Sequence, residues 1–167
     1  MSADPGFRVG LGYDSHRFDD QRPLLLGGVH FPDHAGLAGH SDADAVAHAI
    51  TDAILGAAGA GNIGSHFPPS DPRWEGADSM DLLGRAARLV RDRGWAVANV
   101  DVTVVTESPK IGPRAREMSE VVSKVLGVRA TLVSIKGKSN EAMGWIGRGE
   151  GLAVHAVALL GRWQPPS

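Results

Sequence analysis

The order of the regular segments is the feature that most constrains the fold of this chain. Five apolar runs have the composition of β-strands and occupy residues 7–14, 23–31, 99–106, 131–136 and 152–160. Three stretches have helical periodicity and lie within residues 40–59, 78–93 and 113–127. The order strand, strand, helix, helix, strand, helix, strand, strand predicts a two-layer α+β fold in which helices cover one face of a mixed sheet. So few helices leave the other sheet face bare, and we expect an oligomer to bury it.

Composition limits the size, the chemistry and the partners. A chain of 167 residues, 43% of them hydrophobic, predicts a single domain with an ordered core over about 7–162 and short flexible termini. A net charge of -2 and a pI near 6.4 argue against a nucleic-acid partner. The first residues, MSADPGF, lack the features of a signal peptide, and no apolar run is long enough to span a bilayer. We therefore expect a cytoplasmic protein without a membrane partner.

The stretch GYDSHRF places Asp14 and His16 two positions apart in a predicted strand. Alternate residues of a strand face the same side, so both side chains point the same way. The chain has no cysteine, so any transition metal must bind histidine and carboxylate. Together with His48, this pair forms the ligand set of a catalytic zinc site with an open fourth position. Spacing alone does not bring the two segments together, and an unrelated strand pair remains an alternative.

A polar stripe follows the first predicted helix at successive i,i+4 positions, and it consists of His40, Asp44, His48 and Asp52. Ser41 and Asp44 have the spacing of a capping box at the start of this helix. Two histidines are unusual on an exposed helix face, which favours a functional role. A solvated helix face is the alternative.

Of three glycine-rich or polar loops, two could bind an anion. The match to G-x-G-x-x-G at residues 59–64 follows a helix instead of a strand, so we interpret it as a helix end and a turn. The loop over 106–113 leads into a helix N-terminus. The segment 135–151 offers phosphate donors and one carboxylate for a hard cation, at Lys136, Lys138, Ser139, Glu141 and Arg148. A plain glycine-rich turn is the alternative for that segment.

The segments GYDSHRF, LLLGGV, GLAGHSDADAVAHAITDAILGAAG, NVDVTVV, SPKI and GWIGRGEG occur in this order over about residues 8–160. As a set they resemble the 2-C-methyl-D-erythritol 2,4-cyclodiphosphate synthase family of the non-mevalonate isoprenoid pathway. The resemblance implies a phosphorus–oxygen lyase. It would cyclise 4-diphosphocytidyl-2-C-methyl-D-erythritol 2-phosphate and release CMP. It also implies a homotrimer with its sheets towards the three-fold axis and its active sites between subunits.

The resemblance also implies the residues of the site. Zinc, or another divalent transition metal, would bind Asp14, His16 and His48, and magnesium or manganese would bind Glu141. His40 and Ser139 would assist the transition state. The implied substrate-binding residues are Asp14, His16, His40, Ser41, Asn62, Gly64, Phe67, Asp71, Thr106, Pro109, Lys110, Ile111, Lys138, Ser139, Asn140, Glu141, Trp145 and Arg148.

Two positions depart from the family pattern, because Asn62 and Pro69 stand where relatives commonly carry acids. We expect weaker or differently shaped binding at the ribose end, with the chemistry intact. Near the trimer axis, Arg148 and Glu150 would line a cavity for an isoprenoid diphosphate or form an ion pair that closes the subunit interface. A zinc phosphoesterase and a non-catalytic zinc-binding module are the alternative functions.

Overall fold

A five-stranded sheet forms the frame of the protein, of which the computed structural model describes residues 5–164. The expectations for residues 1–4 and 165–167 lie outside the described residues. The strands are β1 (Phe7–Leu26), β2 (Val29–Leu37), β3 (Trp95–Val105), β4 (Val133–Lys138) and β5 (Gly151–Arg162). The helices are α1 (Ala45–Ala57), α2 (Ile63–His66), α3 (Ser79–Asp92), α4 (Ala115–Leu126) and α5 (Gly144–Gly147). The predicted order of strands and longer helices is confirmed.

The sheet is mixed, as predicted. Its strand order is β2-β1-β5-β3-β4, and only β3 and β4 run parallel. One hydrophobic cluster joins residues of all five strands to α1, α3 and α4. This shared core supports the single domain expected from the sequence, which stays a prediction. Among the described residues, no helix is long and apolar enough to cross a membrane.

The predicted bounds of the first two strands are wrong. β1 continues through the polar residues after Asp14 because it changes partner: it pairs with β5 up to Arg17 and with β2 from Phe18 onwards. Gly27 and Gly28, placed inside a strand by the apolar pattern, form the turn between β1 and β2 and both have positive φ. Two consecutive positive φ values are typical of a tight hairpin turn.

The predicted start of the first helix is also wrong. α1 begins at Ala45, and the Asp44 side chain caps it by accepting a hydrogen bond from the Ala47 N–H at 3.0 Å. Asp44 also accepts from the N–H groups of Gly27 and Gly28, at 2.8 and 2.6 Å, and is 1% exposed. Ser41 is therefore not the cap. Of the predicted stripe, His40 is exposed but lies before α1, and Asp44 is its buried cap. His48 and Asp52 are partly buried on α1, so the stripe does not form a solvated helix face.

The other predicted helices are confirmed, with small changes at their ends. The helical periodicity predicts a set of core positions on these two helices, of which Ala115 and Val125 are only partly buried. The others are buried, and they are Leu82, Leu83, Ala86, Val90, Met118, Val122 and Leu126. Pro113 belongs to a 3₁₀ turn that precedes α4, and Gly127 caps that helix in the left-handed conformation. Residues 59–64 contain the end of the α1 region and the Asn62 cap of α2, which confirms a helix end and a turn.

The sheet face opposite the helices carries exposed apolar side chains. Val9, Leu11, Tyr13 and Val157 are 64%, 67%, 50% and 43% exposed, and they alternate with buried residues of β1 and β5. The expected bare face is therefore present. We call these four residues the outer apolar patch.

Helix α1 lies directly on β1 because two strand glycines allow their backbones to touch. A Cβ atom on Gly12 would stand 1.8 Å from the Ala49 carbonyl oxygen, and one on Gly10 would stand 2.0 Å from that of Ala53. Any side chain at these positions would push the helix away from the strand. This contact fixes the distance between Asp14 on β1 and His48 on α1.

Replacing Gly12 by alanine tests this contact. We expect Gly12→Ala to lower the free energy of unfolding by about 3 kcal/mol or more, because the new methyl group collides with backbone that cannot move alone. Urea unfolding followed by circular dichroism measures the change. Gly161→Ala in β5 is the matched control, since its Cβ would meet no atom within 4 Å. Equal stability of the two variants would contradict the close approach.

Candidate active site

Three side chains from β1 and α1 meet at one point. Asp14 Oδ2 lies 2.7 Å from His16 Nε2 and 3.2 Å from His48 Nδ1. One ligand atom from each of the three residues lies within 4.8 Å of the others. The predicted set Asp14, His16 and His48 is thus brought together, and it could hold a metal ion. Imidazole and carboxylate are common ligands of divalent transition metals.

Hydrogen bonds on the far side of each imidazole orient it for a metal. His16 Nδ1 lies 2.6 Å from the Ala38 carbonyl oxygen, which can only accept, so Nδ1 carries a proton and Nε2 is the nitrogen that faces Asp14. His48 Nε2 lies 2.8 Å from Ser79 Oγ, and Ser79 donates in turn to Asp42 Oδ1. This chain leaves His48 Nδ1 as the nitrogen that faces Asp14. Such outer partners are typical of metal-binding histidines.

The charges of the cluster attract one another in the protein without a metal. Burial alone would raise the pKa of Asp14, but the hydrogen bonds from His16 and His48 hold it below its ordinary value. Burial would lower the pKa of His16, but the hydrogen bond to Asp14 and the nearby negative charge raise it. The site is thus built to place positive charge beside the Asp14 carboxylate.

A pocket of about 150 Å³ lies beside this cluster and includes His48 in its wall. We call it the α1 pocket, and it is lined by His40, Ser41, His48, Ile63, Gly64, Phe67, Pro69, Trp74, Glu75 and Leu82. The Arg22 guanidinium donates to the carbonyl oxygens of Gly39 and Ser41 and so fixes the loop that carries His40. Four predicted substrate-binding residues, His40, Ser41, Gly64 and Phe67, line this pocket.

A second and larger cavity of about 630 Å³ lies beside the end of β4. We call it the β4 groove, and it is lined by Thr106, Pro109, Lys110, Ile111, Gly112, Pro113, Ile135, Lys136, Gly137, Lys138 and Ser139. Six predicted substrate-binding residues, Thr106, Pro109, Lys110, Ile111, Lys138 and Ser139, line it. The peptide bond between Ser108 and Pro109 is cis.

Comparison with known proteins identifies the family. The YgbB family profile matches residues 7–161. The chain belongs to the YgbB family. It is 55% identical to the 2-C-methyl-D-erythritol 2,4-cyclodiphosphate synthase of Symbiobacterium thermophilum. The aligned 152 residues are 91% of this chain and 97% of that one. The synthase of the same name from Dechloromonas aromatica is 53% identical over 156 residues, which are 93% of this chain and 98% of that one.

A solved structure of a family member has the same fold. The CDP complex of IspF from Plasmodium falciparum superimposes with a TM-score of 0.84 at 33% sequence identity, over 97% of this chain and 100% of that one. The mixed sheet and its helices are therefore the YgbB family fold.

The remaining predicted residues near the helix layer make local contacts. Asn62 Oδ1 accepts hydrogen bonds from the N–H and the hydroxyl of Ser65, at 3.0 and 2.9 Å, and so caps α2. Asp71 is paired with Arg73 at 2.6 Å. Both residues are close in sequence to residues that line the α1 pocket, but neither lines it. Their contact with substrate stays a prediction.

The predicted residues after β4 lie around its loop. Asn140 and Glu141 follow Ser139, whose hydroxyl donates to Glu141 Oε1 at 2.9 Å. Trp145 lines a small cavity together with His16. The Arg148 guanidinium donates to Glu150 Oε1 at 2.8 Å, so these two residues form an ion pair within one chain.

The metal cluster and the β4 groove are separate in a single chain. Asp14 pairs with Val154, Val154 with Val104, and Val104 with Gly137, so β1 and β4 are three strand spacings apart, about 14 Å. Lys136, one of the donors suggested by the sequence, is paired with Asp101 at 2.5 Å. Among residues 5–164, none lines both the α1 pocket and the β4 groove. One chain therefore presents two separate candidate sites on the same family fold.

Sequence reasoning missed Ser79 and Asp42, which orient His48. Ser79 is fully buried at the first position of α3, and its N–H also donates to Asp42 Oδ2 at 3.0 Å. The two residues are 37 positions apart, so no local spacing indicates the contact. The only signal in the sequence is a serine directly after the helix-capping residue Asp78.

Removing the Ser79 hydroxyl tests this orientation. We expect Ser79→Ala to weaken Zn²⁺ binding about 10- to 100-fold, because His48 Nε2 loses its nearer acceptor at 2.8 Å and keeps only the Ser41 hydroxyl at 3.1 Å, which holds its tautomer and ring angle less firmly. Competition with a chromophoric chelator measures the affinity. Ser123→Ala is the matched control, because Ser123 is also buried but bonds only within α4, to the Glu120 carbonyl. Unchanged zinc affinity in Ser79→Ala would contradict the role of this hydroxyl.

Proposed function

We propose that the chain catalyses the reaction for which its relatives are named, the formation of 2-C-methyl-D-erythritol 2,4-cyclodiphosphate. The substrate is 4-diphosphocytidyl-2-C-methyl-D-erythritol 2-phosphate, and CMP is the second product. The observation that carries this proposal is the convergence of Asp14, His16 and His48 beside the α1 pocket, on a chain that belongs to the YgbB family.

Asp14, His16 and His48 would hold zinc, and the chemistry of these donors fits that ion. Two neutral imidazoles and one carboxylate are a common set for catalytic zinc, and the fourth position stays open. Glu141 would hold magnesium or manganese together with substrate phosphates, because these ions prefer one or two carboxylates and keep several oxygen ligands from elsewhere. When bound, the two ions neutralise the diphosphate and make its β-phosphorus more electrophilic.

The β4 groove would hold the cytidine end of the substrate. Its wall combines Thr106, Pro109 and Ile111 with the cations Lys110 and Lys138. Backbone N–H and C=O groups can read the edge of a base, while the lysines compensate phosphate charge. The similar Plasmodium falciparum structure is a CDP complex, which supports a nucleotide ligand here. Asn62 would face the ribose with a neutral amide, so we expect altered binding at that end.

The reaction needs little chemistry from side chains. A phosphate monoester has a second pKa near 6, so the 2-phosphate is largely ionised at pH 7 and needs no general base. One of its oxygens attacks the β-phosphorus, a new P–O bond forms, and the bond to the oxygen of CMP breaks. His40 and Ser139 would stabilise charge in the transition state, and Ser41 would help hold the methylerythritol phosphate in the α1 pocket.

Product analysis tests the proposed reaction. We expect the protein with zinc and magnesium to convert the cytidylated substrate to a cyclic diphosphate and CMP in equal amounts, as measured by ³¹P NMR. Removing zinc should abolish turnover, and adding it back should restore activity. Glu141→Gln should also lower the rate, whereas Glu117→Gln on α4 should not. Inorganic phosphate or a hydrolysed diphosphate would instead indicate a zinc phosphoesterase, and metal binding without any product would indicate a binding module.

The active chain would be a homotrimer with its sheets towards the three-fold axis. The outer apolar patch lies on a sheet face that no helix covers, and such a face favours burial between subunits. The metal cluster and the β4 groove of one chain are about three strand spacings apart. A neighbouring subunit could therefore bring its own β4 groove to the metal cluster. An isoprenoid diphosphate at the axis, beside Arg148 and Glu150, stays a prediction, as does the cytoplasmic location.

A charge in the outer apolar patch tests the assembly. Native mass spectrometry should give three times the chain mass of 17.5 kDa for the wild type. Leu11→Asp should give monomers, because three unpaired carboxylates cannot be buried together at the axis. Arg88→Asp, on the exposed side of α3, is the control and should leave the trimer intact. A monomeric wild type would contradict the proposal.

A further inference from the structure

We propose that Glu107 is a positioning residue that joins the two loops bordering the β4 groove. This inference rests on the proposed function, because it assigns the groove to the nucleotide end of the substrate. Glu107 follows Thr106 at the end of β3, in the first of the two loops. Its neighbours Thr106 and Pro109 line the groove, but Glu107 does not. Its carboxylate points instead to the second loop, over residues 139–142.

One oxygen of Glu107 holds the backbone of that second loop. Glu107 Oε1 accepts hydrogen bonds from the Asn140 N–H at 2.9 Å and from the Ala142 N–H at 3.1 Å. Thr106 donates its N–H to the Lys138 carbonyl at 2.9 Å, and β4 ends at Lys138. Glu107 therefore continues the link between the two loops beyond the last strand hydrogen bond.

The loop held by Glu107 has a conformation that needs external support. Glu141 and Ala142 have φ values of +52° and +58°, in the left-handed region that side chains other than glycine rarely adopt. Such a backbone persists where its surroundings determine it, and this often occurs at functional sites. On the other side, α5 packs so closely that a Cβ on Gly147 would lie 2.0 Å from the Ala142 carbonyl carbon. Glu107 and α5 thus hold the loop from two directions.

The loop carries the groups that would meet the diphosphate. Ser139 lines the β4 groove, and its hydroxyl donates to Glu141 Oε1 at 2.9 Å. The positions of both side chains depend on the backbone of residues 139–142. By fixing this backbone relative to Thr106 and Pro109, Glu107 sets the distance between the nucleotide-binding loop and the diphosphate-binding residues. It would act through these residues and would not touch the substrate.

Two substitutions separate this role from a general effect on folding. Glu107→Gln keeps an oxygen that accepts from both N–H groups, whereas Glu107→Ala removes the acceptor. We expect Glu107→Ala to speed amide hydrogen exchange of Asn140 and Ala142 in the ligand-free protein. We also expect it to weaken CMP binding, measured by calorimetry with magnesium, roughly 10- to 100-fold. Glu107→Gln should stay within about threefold of the wild type in CMP affinity.

Zinc affinity and a second carboxylate provide the controls. Zinc binding should not change in Glu107→Ala, because the metal cluster lies on other strands. Glu120→Ala, which removes an exposed carboxylate paired with Arg116, should change neither amide exchange at the loop nor CMP affinity.

The outcomes also separate this role from the proposed function. If the wild type binds no CMP, both the assignment of the β4 groove to the nucleotide and the role of Glu107 are wrong. If the wild type binds CMP and Glu107→Ala binds it equally well, only the role of Glu107 falls. The same holds if amide exchange is unchanged, or if Glu107→Gln is as impaired as Glu107→Ala.

Discussion

The close contact between α1 and β1 is the constraint on which the rest of the structure depends. Gly10 and Gly12 let the backbone of α1 touch β1. The His48 side chain on α1 therefore reaches Asp14 and His16 on β1. Asp44 then fixes the start of α1 by binding the β1–β2 turn. If α1 lay further from β1 by the width of one side chain, His48 could not reach the Asp14 carboxylate. The close packing of α1 on β1 is therefore also what brings the three candidate metal ligands together.

The functional groups of the fold divide into two halves. The helix side of β1 supplies the metal cluster and the α1 pocket, and the ends of β3 and β4 supply the groove. Each half is held by a carboxylate that does not line its cavity: Asp42 orients His48 through Ser79, and Glu107 binds the loop after Ser139. In the proposed trimer, the β4 groove of one chain would lie beside the metal cluster of the next, which would explain why the two halves are separate within one chain.

The sequence predicted what depends on local pattern. Helical periodicity located α3 and α4 with their core residues, and the alternation in GYDSHRF placed Asp14 and His16 on one side of β1. The contact of this pair with His48 could be named only as a possibility, because spacing carries no information on packing. Distant contacts also accompany the errors: Asp44 caps α1 at Ala47 and binds the distant β1–β2 turn as well, and β1 changes its partner after Arg17. Ser79 and Glu107 act over 37 and 33 or more positions, so no motif marks them.

Mixed trimers test the divided site most directly. His16→Ala would inactivate the metal half, and Ser139→Trp would fill the groove half. Each variant alone should be inactive. If the site lies between subunits, unfolding the two together and refolding them in equal amounts should restore about one quarter of the wild-type activity, because random assembly pairs an intact metal cluster with an intact groove at that frequency. Activity no higher than the sum of the two separate variants would contradict the account.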